Sequence, residues 1–394
     1  MKLSEIAEVK LGRQRSPKNH TGDSMRRYLR AANVGWTGLL LDDVKSMNFT
    51  DAEMMTFRLR PGDLLLSEGS GSPKEVGKPA LWNGELEDCA FQNTLLRVRP
   101  QEGVDSRYLN HYFSWQASTG AFARGSRGVG IHHLGREALA AWPIPLPTIE
   151  KQGQIVAILD KVHNIKSKRC QVVAHLEDVV RSTFHHMFGR VSSGRWEQVA
   201  LGDVVTRIES GTSPVCESRP ATEKEWGVLK LGAVTYGEFQ EVENKAYRGD
   251  IGTMISNEVC AGDVLMTRKN TRDLVGAVAL VDEIRPHLLL PDLIFRLHLK
   301  VDQIDRRYFH SLMMHPVKRS NVRDLSSGSA ASMPNISKAR LTQLPIELPP
   351  IALQREFASK VKVVALQRTA VQRALEADED LFSSLQSRAF RGEL

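Results

Sequence analysis

The stretch PGDLLLS at Pro61–Ser67 occurs a second time, in altered form, as AGDVLMT at Ala261–Thr267. In both copies a Gly-Asp pair is suited to a turn, and a run of apolar residues follows it. A short apolar run that follows a turn predicts a buried β-strand. The fold is therefore expected to contain this turn and strand twice, 200 residues apart.

Further pairs of segments keep the same order and nearly the same separation. Leu3–Val9 resembles Leu201–Arg207, Val104–Leu109 resembles Ile304–Phe309, and Trp142–Pro147 resembles Leu344–Pro349. A separation of this size is much longer than the roughly 20–50 residues of a solenoid repeat. The chain is therefore expected to contain a duplicated domain of the α+β class.

Each copy ends in a proline-rich segment, and a long segment without proline follows. Apolar residues at steps of three, four or seven predict helices from about Glu150 to Met187 and from about Leu353 to Ala389. Gly189 is suited to end the first helix, and each apolar seam contains an arginine, Arg169 or Arg368. Seven-residue steps favour pairing of the two helices as an antiparallel coiled coil; the alternative is that each helix packs on its own domain.

The predicted division is a first domain over 1–147, a central long helix over 148–190, a second domain over 195–349 and a C-terminal long helix over 350–394. A helix of about 37 residues spans roughly 55 Å. Two similar domains at a fixed separation, related by an approximate two-fold axis, suit two half-sites on duplex DNA, which repeats every roughly 34–36 Å. Because the two domains differ in sequence, the expected target is bipartite and asymmetric.

Composition limits the class of protein. The formal net charge of +7 favours contact with phosphate without establishing it. The four cysteines form no C-x-x-C pair, which argues against a zinc site or a disulfide framework and suits a reducing cytoplasm. No apolar stretch approaches the roughly 18 residues of a membrane span, so no membrane association is expected.

Motifs for catalysis are weak. The segment Leu348–Ile351 has neither the polar residue before its prolines nor the aromatic residue after them that an adenine methyltransferase needs. A metal-dependent nuclease could be built on Asp63 with Glu68 and Lys74 or Lys78, but the usual Glu-x-Lys spacing is absent, and a Gly-Asp turn is the favoured interpretation.

Phosphate loops and metal sites are also not expected. The chain has no G-x-x-x-x-G-K-[ST] motif for a nucleoside triphosphate. The pairs His132-His133 and His185-His186 consist of adjacent residues, whose side chains point to different faces. We therefore expect no catalytic residue and no metal ligand in this chain.

Several segments are similar to a known family. The helix entries Pro145–Gln152 and Leu348–Gln354, the segment Phe184–Gly189 and the tail Leu385–Leu394 resemble regions of the specificity subunits of type I restriction–modification systems. The resemblance implies two target-recognition domains that bind double-stranded DNA, in a chain that is not an enzyme and holds no cofactor. It implies two modification subunits, which use S-adenosylmethionine to methylate adenine at N6, and restriction subunits with an ATP-driven motor; S-adenosylmethionine, ATP and Mg²⁺ are expected on those partners.

Three loops in each domain carry side chains that suit contacts with base edges or phosphates. In the first domain they are Gly12–Lys18, Glu68–Lys78 and Arg124–Gly130, and in the second Gly211–Pro214, Thr267–Arg272 and Ser326–Ser332 together with Asn335. The predicted DNA-binding residues of the first domain are Arg13, Arg15, Lys18, Arg30, Ser70, Lys74, Arg124 and Arg127. Those of the second domain are Thr212, Lys230, Arg268, Lys269, Asn270, Arg272, Ser327, Ser329 and Asn335.

Two questions stay open at the level of the sequence. Arg30 and Lys230 occupy matching positions, but each could instead pair with a carboxylate of its own domain. The whole chain could also be a structural adaptor whose duplicated domains bind protein, and that alternative predicts no sequence-dependent DNA binding.

Overall fold

The computed structural model describes residues 1–124, 132–326 and 333–394. The chain divides into two compact units, the first formed by Met1–Cys170 with Arg373–Leu394 and the second by Gln171–Gln372. This division differs from the four parts expected from the sequence, because the boundary falls inside both long helices. Each helical half packs on the domain of its own unit.

The first unit is built from short strands and helices, and it includes the last part of α9 (Ile351–Arg391). Its strands are β1 (Ala7–Leu11), β2 (Met25–Leu29), β3 (Val34–Gly35), β4 (Gly38–Leu39), β5 (Lys45–Asn48), β6 (Leu64–Ser67), β7 (Gly69–Ser70), β8 (Pro79–Leu81), β9 (Ala90–Phe91), β10 (Leu95–Pro100) and β11 (His132–His133). Its helices are α1 (Asp51–Phe57), α2 (Ser106–Ser118), α3 (Arg136–Ala140) and the first part of α4 (Ile149–Phe188).

The central sheet of this unit is antiparallel, with strand order β1-β10-β6-β8. A second sheet has the order β5-β2-β9, in which β2 and β9 are parallel. Gly62 has φ +93° and forms the turn before β6, and Leu64, Leu65 and Leu66 are each 0% exposed. Strand β6 is buried on both faces, which explains why its sequence is continuously apolar instead of alternating.

The second unit repeats this plan. Its strands are β12 (Gln198–Ala200), β13 (Val205–Ser210), β14 (Trp226–Leu229), β15 (Asn244–Tyr247), β16 (Val264–Thr267), β17 (Val278–Leu280), β18 (Leu288–Leu289), β19 (Ile294–Leu299) and β20 (Pro345–Glu347). Its helices are α5 (Leu201–Val204), α6 (Arg306–Met314), α7 (Pro316–Asp324), α8 (Lys338–Leu341) and the first part of α9 (Ile351–Arg391). The sheets β13-β19-β16-β17 and β15-β14-β18 have the strand order of the first unit, with β14 and β18 parallel. The chain is α+β, and the two units share one strand order, as the internal repeat predicts.

A buried glutamine joins each domain to its long helix. The Oε1 atom of Gln152 accepts a hydrogen bond from the backbone N of Asp105 (2.9 Å), and its Nε2 atom donates to the carbonyl of Pro147 (2.9 Å). Gln354 makes the equivalent bonds to Asp305 (2.9 Å) and Pro349 (2.7 Å). Both glutamines lie in the helix-entry segments that resemble the known family, and both bind an N-cap residue, Asp105 of α2 or Asp305 of α6.

The long helices exceed their predicted bounds by one residue at each end of α4 and by two at each end of α9. In the first unit, Lys166 Nζ lies 3.5 Å from Glu379 Oε1, and Arg169 donates to the carbonyl of Ala374 (2.8 Å) and contacts Asp378. The two helical segments of this unit therefore run antiparallel.

In the second unit, the end of α4 packs on the start of α9. The rings of Phe184 and Phe188 lie 5.6 Å and 5.3 Å from the ring of Phe357. Arg368 of α9 forms an ion pair with Glu238, which precedes β15 in the same unit. Gly189, at φ +77°, ends α4 as predicted.

No helix in the described part of the chain has both the length and the apolar character needed to cross a membrane.

Candidate nucleic-acid interface

Four segments of the first unit meet through backbone hydrogen bonds, and we call residues 12–15, 68–70, 92–95 and 132–134 the first loop cluster. Gly12 N donates to the carbonyl of Leu95 (3.1 Å), and Glu68 N donates to that of Thr94 (2.9 Å). The carbonyl of Glu68 accepts from Leu134 N (2.6 Å). Two of the three predicted loops thus lie side by side, and the third leads from Arg124 through residues outside the described ranges to β11.

The second unit has the same junction, and we call residues 211–214, 267–270, 291–293 and 333–336 the second loop cluster. Gly211 N donates to the carbonyl of Pro291 (3.1 Å), and Arg268 N donates to that of Leu293 (2.9 Å). The carbonyl of Arg268 accepts from Ile336 N (3.0 Å). Arg268 therefore occupies in this unit the backbone position of Glu68.

The second loop cluster surrounds an open cleft of about 300 Å³, lined by Arg268, Lys269, Asp292, Leu293, Met333 and Asn335. Nε of Arg268 donates to Oδ1 of Asn335 (3.1 Å), and its guanidinium lies 5.5 Å from the centre of the Phe295 ring. Lys269 is exposed and pairs with Asn335 through the backbone. Three of the residues predicted from the sequence, Arg268, Lys269 and Asn335, thus line one cleft.

Arg13 is engaged inside the first domain. Its guanidinium donates to Glu53 Oε1 (2.7 Å) and to the carbonyl of Asn48 (2.6 Å), and it lies 4.8 Å from the centre of the Phe49 ring. Burial raises the pKa of Glu53, but hydrogen bonds from Thr50 and Arg13 outweigh burial, and the pKa is lowered. Glu53 is therefore an ionised partner that holds Arg13 in place.

Arg30 and Lys230 also pair within their own domains, as the alternative for them predicted. Arg30 Nη2 lies 2.6 Å from Asp43 Oδ2, and Lys230 Nζ lies 2.8 Å from Glu243 Oε2. A hydrogen bond from Lys45 is the main cause of a lowered pKa at Asp43, with burial opposing it and the charge of Arg30 contributing. The two ion pairs are equivalent, and each precedes a 3₁₀ turn, Ala31–Asn33 or Leu231–Ala233.

Asn270 is 6% exposed, and its side chain is used within the domain. Its Nδ2 atom donates to Thr235 Oγ1 (3.1 Å), and its Oδ1 atom accepts from Thr271 N (2.8 Å). Ser70 is half-buried in β7, where its hydroxyl accepts from Ser72 N (3.1 Å). These contacts shape the two loops from inside.

The remaining predicted residues lie at the surface or outside the described ranges. Exposed residues are Arg15, Lys18, Lys74, Arg124, Thr212, Lys269 and Arg272. Arg127, Ser327 and Ser329 lie outside the residues that the structure describes.

Asp63, the centre of the nuclease alternative, has a structural role in the turn. Its two carboxylate oxygens lie 2.7 Å from Nε and Nη2 of Arg99, and Oδ2 also accepts from Arg60 N (2.7 Å). The residue is 1% exposed, so its carboxylate is occupied by an arginine and a backbone amide. Within the described ranges, no group of three His, Cys, Asp or Glu side chains is placed to hold a metal ion.

Glu68 and His133 were not among the DNA-binding residues predicted from the sequence. Nδ1 of His133 lies 3.1 Å from Glu68 Oε2 and 3.2 Å from Oε1. The partners are 65 residues apart, so no local pattern indicates the pair. The available signal was the repeat, because Glu68 aligns with Arg268.

Known proteins are similar to this chain over different lengths. Residues 1–176 match the family described as "Type I restriction modification DNA specificity domain". The EcoEI specificity subunit of Escherichia coli is 34% identical over 168 residues, which cover 42% of this chain and only 28% of that protein. The EcoKI specificity subunit of Escherichia coli K12 is 22% identical over 86% of this chain and 76% of that protein. A type I S subunit from M. genitalium has a similar fold, with a TM-score of 0.56, 11% identity and coverage of 99% of this chain and 95% of that one.

Proposed function

We propose that this chain is a specificity subunit of a type I restriction–modification system, like the proteins to which it is similar, and that it recognises a bipartite, asymmetric site on double-stranded DNA. Each loop cluster contacts one half-site. The chain performs no chemistry itself and positions the target adenine for a partner enzyme.

The main support for the proposal is that the two loop clusters have the same backbone junction and different polar side chains. The two loop clusters share a backbone junction, yet the side chain at the junction is Glu68 in one and Arg268 in the other. A common scaffold with different polar groups suits two related domains that recognise different bases, because specificity depends on the donors and acceptors presented to base edges. Exposed cations such as Lys18, Lys74 and Arg272 suit contacts with phosphates, which orient the protein on the duplex.

The partners follow from the family. The relatives are named as subunits of type I restriction enzymes, and we infer that two modification subunits and restriction subunits assemble with this chain in the cytoplasm. S-adenosylmethionine, ATP and Mg²⁺ then belong to those partners. The long helices are inferred to form an antiparallel coiled coil that relates the two recognition domains by a pseudo-two-fold axis and sets the spacer between the half-sites.

The test is co-expression with a type I methyltransferase subunit from the same host, followed by mapping of N6-methyladenine across the host DNA. We expect a two-part asymmetric motif that is methylated only when both proteins are present. A strain that expresses the methyltransferase subunit alone is the control. Methylation that is absent, or identical without this chain, would contradict the proposal.

Binding by the purified complex separates DNA recognition from a role as a protein adaptor. If phosphate contacts contribute to affinity, the logarithm of the binding constant should fall linearly with the logarithm of salt concentration, with a slope of about −0.9 for each phosphate neutralised. An adaptor that binds only protein would show no preference for duplexes that contain the motif.

A further inference from the structure

We infer that the pairs Glu68–His133 and Arg268–Asn335 are equivalent base-recognition pairs, one for each half-site. The inference rests on the proposed function and deepens it. It assigns an exocyclic amino group of cytosine or adenine to the first pair and a guanine to the second.

The two pairs occupy equivalent positions in the two units. Strands β7 and β11 place His133 opposite Gly69, and the matching bridge of the second unit places Asn335 opposite Lys269. The backbone N and carbonyl of Glu68 and of Arg268 have equivalent partners, as described above. Each pair therefore joins the residue after a central strand, β6 or β16, to the segment that follows the third predicted loop.

In the second unit, the guanidinium nitrogens of Arg268 differ in their hydrogen bonds. Nε of Arg268 is used by Asn335 Oδ1 at 3.1 Å, and Nη1 lies 3.5 Å from the carbonyl of Asp292. Nη2 has no hydrogen-bond partner among the described residues. Asn335 thus binds the Nε side of the guanidinium in the cleft and leaves Nη2 without a hydrogen bond within the described domain. The terminal nitrogens of an arginine match the O6 and N7 acceptors of guanine in the major groove.

In the first unit, the Glu68 carboxylate keeps acceptor sites that His133 does not use. The Glu68 carboxylate contacts only one atom of the His133 ring, Nδ1, and two carboxylate oxygens together have about four acceptor sites. The side chains of Glu68 and His133 are 25% and 58% exposed. A carboxylate in the major groove accepts a hydrogen bond from an exocyclic amino group. Because Glu68 cannot donate while ionised, it disfavours the O6 acceptor of guanine at the same place.

The position of His133 also depends on a glycine. A Cβ atom on Gly69 would lie 2.8 Å from Nδ1 of His133, which is closer than non-bonded atoms approach. A side chain at residue 69 would therefore force the histidine ring to shift from the position in which it contacts Glu68. In the second unit the equivalent residue is Lys269, and its partner Asn335 is smaller than histidine.

The test uses substitutions that preserve charge or shape in the co-expressed complex. Arg268→Lys keeps the positive charge but loses the planar two-donor edge, and Glu68→Gln keeps the shape but adds a donor. The readouts are the methylated motif and the affinity of the purified complex for duplexes that differ at one base pair. The matched controls are the same substitutions at exposed positions. Arg207→Lys changes a side chain on β13 that is 65% exposed, and Glu137→Gln changes one on α3 that is 92% exposed.

We expect Arg268→Lys to relax one guanine position in the second half-site, with a loss of discrimination on the order of 10- to 100-fold, while the first half-site is unchanged. Glu68→Gln should relax one cytosine or adenine position in the first half-site only, and the base that is relaxed distinguishes the two amino donors. A side chain that contacts only phosphate would instead leave the motif unchanged after Arg268→Lys.

The outcomes distinguish the two proposals. If the unaltered chain directs a bipartite motif but neither substitution changes it, the assignment of these pairs is wrong and the proposed function stands. If the unaltered chain directs no motif, both are wrong. Motif changes caused equally by Arg207→Lys or Glu137→Gln would also overturn the assignment, because they would show that the effect is not specific to the pairs.

Discussion

At the scale of single residues, the first predicted loop of each domain depends on a glycine at a close crossing. A Cβ atom on Gly12 would lie 2.2 Å from the carbonyl oxygen of Gln92, and one on Gly211 would lie 1.7 Å from that of Leu290. Neither glycine has a positive φ. Space, and not an unusual backbone conformation, therefore requires glycine at both positions.

Gly211→Ala should destabilise the second unit by about 1–3 kcal/mol, because the added methyl group forces the Leu290 backbone away. Gly153→Ala is the control, since Gly153 lies inside α4 with nothing within 4 Å of the added atom. It should instead stabilise the helix by about 0.5–1 kcal/mol. Thermal unfolding of the three proteins is the measurement, and a melting temperature of Gly211→Ala equal to that of the unaltered chain would contradict the crossing.

Among the secondary-structure elements, each long helix is joined to its domain by the hydrogen bonds of one buried glutamine. Gln152 and Gln354 are 1% and 0% exposed, and each amide binds both the N-cap of a neighbouring helix and the carbonyl of a proline at the domain exit. Each glutamine therefore links the start of its long helix to two backbone groups of the preceding domain.

Gln354→Met keeps the length of the side chain but leaves the Asp305 N–H and the Pro349 carbonyl without their partner. A buried polar group without a partner costs about 1–3 kcal/mol, so we expect a loss of at least that size in the unfolding free energy of the second unit. Gln367→Met, at an exposed position of the same helix, should change it by less than about 0.5 kcal/mol. Equal effects of the two substitutions, measured by denaturant unfolding, would show that the buried amide contributes nothing.

At the scale of the whole molecule, each unit has its own sheets and its own hydrophobic core. Leu64, Leu66 and Val98 belong to the core of the first unit, and Val264, Met266 and Leu297 to that of the second. Because the sheets do not cross from one unit to the other, each recognition domain is expected to keep its own specificity when the other is replaced.

Replacing residues 1–147 by the equivalent segment of a relative should therefore change one half of the methylated motif and leave the other half unaltered. The reciprocal exchange of residues 195–349 is the control and should change only the other half. Mapping of N6-methyladenine after co-expression with the methyltransferase subunit measures both. A hybrid that alters both half-sites would show that the domains do not recognise DNA independently.

The duplication, the α+β class and the bounds of the long helices could be inferred from the sequence alone. Local patterns indicate these features. A Gly-Asp turn precedes an apolar run at Pro61–Ser67 and at Ala261–Thr267, and apolar residues recur at helical spacing before Gly189. Turn chemistry and periodicity depend on neighbours along the chain, so they need no knowledge of distant contacts. The positions of the polar loops followed from the same repeat.

Only the tertiary structure decided which side chains in those loops are available to a ligand. Arg13 is held by Glu53, and Asn270 is buried against Thr235, although the sequence offered both as DNA-binding residues. For Arg30 the sequence left two possibilities open, and in the structure it pairs with Asp43. Glu68 was recognised as a candidate only through its contact with His133, which lies 65 residues away in the sequence. An arginine or amide is free or engaged according to partners that folding brings together from distant positions, and such pairing leaves no local pattern in the sequence.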